Sequence, residues 1–375
     1  MDQETAQALF DQGAFLLFLN APEGMEFGID FNSWKIGPKF KGMKLIPPGL
    51  HFVFYSTSNK FGTSGLKTGF FKFYESKELV IKYWDHTLED FKNESDSEQV
   101  ERLNSDIRQF DPFLGPYPFS PPTNWQKWIH LTSLITSRLI SVILPNEGRV
   151  ANISSSTVDE EELLKLNDLK YQENDTIFFT KFDLRKSWRP GATGQEVTKY
   201  SQDKSWLLSE LLNKVYNNDY KELLGELQLA FVCFLIAENY AGFIQWKNLV
   251  QLICSCQEEL EKYADTLFTD FLDVLKCQLE ECPRDFFHNI VTEDNYLAHV
   301  LKNFRRNILE ASSMDAIPQQ SLEKLHTLRR RFEKFRGFLN QRFHWEIVDE
   351  VAAREEEERE EGEYAPVVVE LPDTE

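Results

Sequence analysis

One change in the hydrophobic pattern limits what this chain can fold into. Up to about residue 86, apolar residues stand in short runs rich in aromatic and β-branched side chains, and Gly- and Pro-containing clusters separate the runs. From Trp206 onwards, leucines recur instead with the spacing of one helix face. The chain is therefore predicted to be an α+β protein. We expect a β-sandwich-like N-terminal domain, then an all-α helical domain, and last an acidic C-terminal tail.

Length and composition suggest where the domains begin and end. A chain of 375 residues is long enough for about two domains, each with its own core. A polar stretch follows residue 150, and the leucine pattern begins at 206. The predicted segments are a β-rich domain over 1–150, a connector and structured loop over 151–205, a helical domain over 206–350 and the tail over 351–375.

Four runs are predicted to be strands, and the second half to be a bundle or short solenoid of about six helices. Because both parities of HFVFY are apolar, its strand should be buried on both faces. The last helix should begin near Ser321 and pack through a seam with 3-4 spacing. The strands are Ala14–Leu19, Leu50–Tyr55, Gly69–Tyr74 and Leu79–Trp84, and the seam consists of Leu325, Leu328, Phe332, Phe335 and Leu339.

Two shorter stretches carry local signals. Asn124 follows a proline-rich connector and is predicted to be the N-cap of a helix that begins at Trp125. The segment from Phe179 to Ser205 permits two interpretations, a long structured loop or a loop with one short strand at IFFTKF.

The charge of the chain is uneven. The formal net charge is −20, and residues 349–375 hold 12 acidic and 2 basic side chains, which accounts for half of it. The basic residues of the last helix, Arg329 to Arg336, are mixed with glutamates and are interpreted as a solvated, ion-paired face. We therefore expect no direct binding of nucleic acid, which depends on Lys and Arg that neutralise phosphates.

Other features concern the compartment. The longest apolar stretch, Leu227–Ala237, is about half of a membrane span, and the first residues lack the pattern of a signal peptide. Five cysteines, an odd number, favour a reducing compartment over a disulfide framework. We expect a cytoplasmic and nuclear protein without membrane association.

Patterns for catalysis, cofactors and metals are weak. Gly37, Gly42 and Gly49 do not have the spacing of a phosphate-binding loop and are predicted to supply turn geometries. Cys254 and Cys256 point to different sides of a helix, and no His or Cys group has zinc spacing, so the thiols are interpreted as buried and inert. No cofactor or metal is expected.

A hydrolase is the least favoured interpretation. It would use His51, or His86 beside Asp85, but the chain has no GxSxG sequence to position a nucleophilic serine. The chain is therefore predicted not to be an enzyme.

The tail contains the clearest candidate for binding. Val367, Val368, Val369 and Leu371 form a strand-like segment between Pro366 and Pro372, and a run of glutamates separates it from the last helix. Ordering such a segment costs roughly 1–2 kcal/mol per residue in backbone entropy. Addition to the exposed sheet edge of a partner offsets that cost. The alternatives are that the segment folds onto the β-rich domain or stays loose.

Two blocks of sequence resemble a known family. EFGIDFNSWKIGPKFKGMKLIPPGLHFVFY (Glu26 to Tyr55) and RPGATGQEVTKYSQDKSW (Arg189 to Trp206) are similar to the signature blocks of the AAR-two splicing-factor homologue family, and they occur in the same order. Neither block is a catalytic motif.

The resemblance implies a function in assembly. Members are assembly factors of the U5 small nuclear ribonucleoprotein (U5 snRNP) in pre-mRNA splicing. They hold the spliceosomal scaffold protein Prp-eight through its RNase H-like and Jab/MPN-like domains, and they keep the U5 helicase from docking early. The resemblance also implies that the C-terminal tail pairs as a strand between those domains. A general protein-interaction adaptor with another client is the alternative.

Other residues are predicted to have structural or regulatory roles. Trp34, Phe40 and the PPG turn at 47–49 are expected to hold the β domain together, and the RPGATG loop is a candidate brace between domains. Ser95 and Ser156 lie beside carboxylates and are candidates for regulatory phosphorylation, which would add about −1.5 to −2 charge and weaken partner binding.

Overall fold

The part of the chain that is described contains ten strands, twelve α-helices and one 3-10 helix, Asp111–Phe113. The computed structural model describes residues 12–56, 67–93, 96–119, 122–151, 176–284, 296–313 and 318–347. The strands are β1 (Ala14–Leu19), β2 (Glu26–Ile29), β3 (Asn32–Lys35), β4 (Gly42–Ile46), β5 (Gly49–Ser56), β6 (Thr68–Tyr74), β7 (Leu79–Asp85), β8 (Asp90–Asn93), β9 (Leu114–Pro116) and β10 (Arg149–Ala151). The helices are α1 (Ser97–Ser105), α2 (Ile107–Phe110), α3 (Pro122–Thr132), α4 (Ser137–Ile143), α5 (Gly194–Gln202), α6 (Ser205–Lys214), α7 (Tyr220–Leu235), α8 (Tyr240–Cys254), α9 (Leu260–Tyr263), α10 (Leu267–Glu281), α11 (Tyr296–Ser312) and α12 (Gln319–Phe343).

The strands form two five-stranded sheets, which confirms the predicted α+β class with its β-sandwich-like first part. The first sheet has the order β8-β7-β1-β4-β9, and the second has the order β10-β6-β5-β2-β3. The second sheet is antiparallel throughout, whereas β1–β7 and β4–β9 are parallel pairs. Apolar residues of both sheets meet in one buried cluster, so the core lies between the sheets.

Aromatic side chains fill this core. Phe18 has no exposed surface; it stacks on Phe91 with ring centroids 3.5 Å apart and meets Phe27 edge-on at 5.0 Å. Residues His51 to Ser56 of β5 are all buried, as predicted for a strand buried on both faces, and β5 is the central strand of its sheet. Phe40 packs against Phe27 with centroids 5.0 Å apart, which confirms its predicted structural role.

Chain contacts divide the protein into two compact units. The described residues up to Phe182 and from Lys214 to Leu249 form the first unit, and those from Asp183 to Asn213 and from Val250 onwards form the second. These limits differ from the boundaries predicted at 150 and 205. The first unit includes α7 because that helix packs closely on the segment after α3: a side chain at Gly225 would stand 2.3 Å from the Leu134 carbonyl oxygen.

The second unit contains a helical core that agrees with the predicted seam. Leu325, Leu328, Phe332, Phe335 and Leu339 of α12 are all buried. The Phe304 ring of α11 lies between rings from α10 and α12, since its centroid is 5.7 Å from that of Phe268 and 5.7 Å from that of Phe332. The basic face of α12 pairs with acids, as Arg331 with Asp273 at 3.1 Å and Arg336 with Glu333 at 2.8 Å.

Several local predictions were wrong. The helix α3 begins at Pro122, so Asn124 lies inside it and is not its N-cap; proline is tolerated in a first helical turn because its missing N–H would have no helical partner. Of the two interpretations of Phe179 to Ser205, the one with a strand does not hold, because IFFTKF forms no strand. The loop interpretation needs one correction, since α5 lies within that stretch.

Among the described helices, none has the length and apolar composition needed to span a bilayer.

Gly42 is the glycine that the first sheet most needs. Its φ is +138°, and a Cβ there would stand 1.8 Å from the Leu16 carbonyl oxygen of the neighbouring strand β1. Gly49 also has a positive φ, of +133°, and like Gly42 it is the first residue of a strand rather than part of a turn. The predicted turn geometry is confirmed for Gly37, whose carbonyl oxygen accepts a hydrogen bond from the Phe40 N–H at 3.1 Å; Gly37 has open space around it.

Replacing Gly42 with alanine should lower the free energy of unfolding by roughly 3 kcal/mol or more, because the new methyl group collides with backbone and the backbone angle is strained. Urea denaturation followed by tryptophan fluorescence measures the change. Gly37→Ala is the matched control and should change the stability by less than about 0.5 kcal/mol. Equal effects of the two substitutions would contradict this account of Gly42.

Candidate functional site

The first signature block surrounds a buried carboxylate. Asp30 lies in the turn between β2 and β3 and is 1% exposed. Its Oδ2 lies 2.7 Å from Nδ1 of His51 and accepts a hydrogen bond from the Tyr117 hydroxyl at 2.7 Å, while its Oδ1 accepts from the Phe52 N–H at 3.0 Å. The other ring nitrogen of His51 lies 2.9 Å from the carbonyl oxygen of Pro47, in the PPG turn. One carboxyl group thus joins a hairpin, a central strand and a connecting segment.

The hydrogen-bonding contacts occupy both ring nitrogens of His51. A backbone carbonyl only accepts, so Nε2 of His51 donates to Pro47. Nδ1 faces Oδ2 of Asp30 at 2.7 Å, a hydrogen-bonding distance. Trp125 stacks on the imidazole with ring centroids 5.6 Å apart, and His51 has no exposed surface. Both ring nitrogens are therefore used inside the core, and His51 has no free nitrogen to act as a base.

A second buried carboxylate belongs to Glu226 of α7. Its oxygens accept hydrogen bonds from the backbone N–H and hydroxyl of Thr180, from the Tyr216 hydroxyl and from the Gln245 amide, at 2.7–2.9 Å. Burial raises the pKa of Glu226, and these four donors oppose the shift. The cluster fixes the extended segment around Thr180 within the first unit.

The second signature block forms an exposed loop above a buried anchor, all within the second unit. In the RPGATG loop, the Arg189 guanidinium donates to both carboxylate oxygens of Glu196, at 2.8 and 3.0 Å. Thr193 and Glu196 form a capping box at the start of α5, and Gly191 has a φ of +77°. The loop is therefore well ordered although its residues are mostly exposed.

The anchor consists of two adjacent charged residues. Asp203 accepts hydrogen bonds from the backbone N–H groups of Ser205, Gln257 and Glu258 at 2.9–3.1 Å. Nζ of Lys204 donates to the Ser187 hydroxyl at 3.0 Å, and burial lowers its pKa. This block therefore holds chain segments together. Its proposed role as a brace between domains stays a prediction.

Trp34 has a different position from the one predicted. It is 42% exposed, and so it does not hold the β domain together. The reason is its strand: β3 is the outermost strand of the second sheet, and residues 33–35 are all exposed. Exposed edge strands carry unpaired backbone groups and are sites where another strand can pair. Nothing in the sequence around Trp34 distinguished an edge from an inner strand.

Several predicted site residues lie outside the described part of the chain. These are the tail residues Val367, Val368, Val369 and Leu371 and the candidate phosphorylation sites Ser95 and Ser156. Their roles therefore stay predictions. His86 is described, and it is exposed in the turn after β7.

The cysteines have the character expected of them. Cys233, Cys254, Cys256 and Cys282 are buried, Cys277 is half-buried, and all five are unpaired. Burial raises the pKa of each thiol, which disfavours the reactive thiolate. Within the described ranges, no cluster of three or more metal-ligating side chains is present.

Replacing Asp30 with alanine should lower the free energy of unfolding by about 3–5 kcal/mol, because it leaves the buried His51, Tyr117 and Phe52 groups without the carboxyl oxygens they meet. Denaturation curves of the full chain measure this. Asp111→Ala is the control; it removes the 2.6 Å ion pair of a half-exposed carboxylate with Lys44 and should cost less than about 1 kcal/mol. Stability of Asp30→Ala equal to that of the control would show that the cluster is not structural.

The Glu196 contacts predict a pH response of the RPGATG loop. Hydrogen bonds from the Thr193 N–H and the Arg189 guanidinium lower the pKa of Glu196 to about 2. The folded pKa lies below the ordinary value, so these contacts order the loop above about pH 4.5 and are lost as the pH falls through 2. In Glu196→Gln at neutral pH, the backbone N–H groups of residues 193 and 196 should exchange with solvent several-fold faster than in the unchanged protein, as measured by NMR. Glu261→Gln, an exposed substitution in the same unit, should leave that exchange unchanged; equal exchange in both variants would contradict the prediction.

Comparisons with known proteins cover both signature blocks. Residues 12–145 match the model of the AAR2 N-terminal domain, and residues 179–348 match that of the AAR2 C-terminal repeat region. Together the two matches include Asp30, His51, Asp203 and Lys204.

Relatives are similar along nearly the whole chain. The chain is 34% identical to the human protein named Protein AAR2 homolog, over 100% of this chain and 97% of that protein. It is 30% identical to the Caenorhabditis elegans Protein AAR2 homolog, over 92% and 97%. It is 23% identical to the A1 cistron-splicing factor AAR2 of Saccharomyces cerevisiae, over 78% and 84%. The chain therefore belongs to the AAR2 family.

Proposed function

We propose that this protein is a non-enzymatic assembly chaperone of the U5 snRNP in pre-mRNA splicing. It binds the Prp-eight scaffold through the RNase H-like and Jab/MPN-like domains of that partner and delays docking of the helicase. The observation that carries the proposal is membership of the AAR2 family along the full chain, in a family whose yeast member is named a splicing factor.

The geometry of the two signature blocks supports binding over catalysis. Each block uses its charged residues to hold the fold, as Asp30 does in the first unit and Asp203 in the second. What each unit presents to solvent is an ordered surface: the edge strand β3 with Trp34, and the RPGATG loop. Ordered surfaces lose little entropy when a partner binds.

The tail supplies the proposed mechanism. Strand addition gives backbone hydrogen bonds along Val367 to Leu371, and alternate side chains enter the partner's sheet surface. Pro366 and Pro372 limit the added strand to about five residues, since proline lacks the N–H that a sheet needs. The neighbouring glutamates favour a partner with basic residues around the receiving edge.

Cytoplasmic and nuclear locations belong to the same proposal, because assembly precedes use of the particle in the nucleus. Phosphate on Ser95 or Ser156 would add charge beside existing carboxylates and favour release. The alternative of an adaptor with a different client is separated by a pull-down against the two scaffold domains, which such an adaptor would fail.

Hydrogen exchange on the tail tests the mechanism. Amides of residues 367–371 should be protected in the complex with the scaffold domains and unprotected in the free protein. Val368→Pro removes a central N–H and should weaken binding about tenfold or more, whereas Thr374→Pro, beyond the segment, should leave it within about twofold. Protection of the valines already in the free protein, or no protection in the complex, would refute strand addition.

A further inference from the structure

The open side of the sandwich in the first unit contains a groove of about 580 Å³. Strands β6 and β7 are consecutive in the chain, yet β6 belongs to the second sheet and β7 to the first. The groove runs along both strands, and α4 forms part of its wall. Apolar side chains that line it include Phe73, Leu79, Val80, Ile140 and Leu144.

A lysine stands in this apolar groove, on the inner side of a strand. Val80 and Trp84 of β7 belong to the core between the sheets, and the alternation of a strand places Lys82 on the same face. The Lys82 side chain is 10% exposed. Its Nζ lies 4.5 Å from the centroid of the Phe70 ring, and burial lowers its pKa. A charge in this position is held at a cost, which an anion in the groove would relieve.

The charges around Lys82 leave room for another anion. Among the described residues, its hydrogen-bonding partner is Glu147, at 3.5 Å, the outer limit of such a bond. Glu147 is 62% exposed and also accepts a hydrogen bond from Asn93. Asp90, the other acid nearby, is paired with Arg149 at 2.6 Å. An ammonium has three donors, so two of those of Lys82 are available to a ligand.

The remaining charges of the groove are neutralised. Lys72 and Glu78, which also line it, pair with each other at 2.7 Å. The groove therefore combines half-buried apolar surface on Phe73, Leu79 and Val80 with one completed ion pair and with the ammonium of Lys82, whose described acceptor is 3.5 Å away. The complementary ligand has aliphatic groups with one carboxylate among them.

We propose that this groove binds an extended peptide segment of a protein partner, in which one Glu or Asp between aliphatic residues places its carboxylate on Lys82. The groove is open to solvent, which suits a peptide that keeps one side in water, whereas a fatty acid needs an enclosed cavity to remove its chain from water. That the partner is the splicing scaffold rests on the proposed function. That the groove takes an aliphatic peptide with one carboxylate rests on the groove itself.

Two capped hexapeptides test the proposal, Ac-ALVELA-NH2 and Ac-ALVQLA-NH2. Methyl NMR of the full chain, at the Ile81, Ile140, Leu79 and Leu144 signals, reports binding in the groove. The Glu peptide should bind about tenfold more tightly than the Gln peptide, because only a carboxylate makes a charge-assisted bond with Lys82. In Lys82→Met, which keeps an unbranched apolar side chain as far as the ε position and removes the ammonium, the ratio should fall to about twofold or less. Lys72→Met, the control at a second lysine that lines the groove but is paired with Glu78, should keep the wild-type ratio.

Equal binding of the two peptides to the wild-type protein overturns the proposal, and this comparison needs no variant should Lys82→Met fail to fold. Tighter binding of decanoate than of the Glu peptide at the same methyl signals also overturns it, because the site would then be one for free acids. The peptide assay contains no scaffold domain. A failed pull-down with an intact Glu preference therefore refutes the proposed function alone, and loss of the preference with an intact pull-down refutes the groove alone.

Discussion

The Asp30 carboxyl group is the interaction on which the sandwich depends. It stands in the hairpin turn at the edge of the second sheet, yet it bonds to the central strand β5 through His51 and Phe52 and to the connector through Tyr117. A buried carboxyl group is tolerated only when its lone pairs are matched by donors, and here three donors meet it. The hairpin, the PPG turn and the connector must therefore be in place together, which makes this half of the protein cooperative.

Much of the architecture follows from hydrophobic spacing. The apolar residues of β1, β5, β6 and β7 and the α12 seam fold as their patterns predict, because burial of one face or both determines the element. The sequence pattern did not predict strands β2, β3 and β4, because each has only four or five residues and lies between turn-forming residues. The helix was predicted to begin after Asn124, whereas it begins at Pro122. Both asparagine and proline are common at helix starts, and the local sequence does not show which of them marks this one.

The contacts of the buried polar residues could not be predicted, because each joins residues that are distant in sequence. His51 was considered as a catalytic base, and only the three-dimensional structure shows that Asp30 and Pro47 occupy both of its nitrogens. Lys82 is one lysine in an ordinary strand pattern until the fold places it over Phe70. The family resemblance identified the two signature blocks. Only the hydrogen bonds of Asp30 and Asp203 show that these blocks join separate segments of the chain.

The charges at the exposed strand β3 bear on whether copies of this protein pair with one another through the edge of the second sheet. Lys35 ends the strand and Lys39 follows it, both exposed. Lysines on an exposed edge strand are one of the features by which β-sheet proteins limit edge-to-edge pairing between copies of the same chain. We therefore expect Lys35 and Lys39 to reduce such pairing at the open edge of the second sheet.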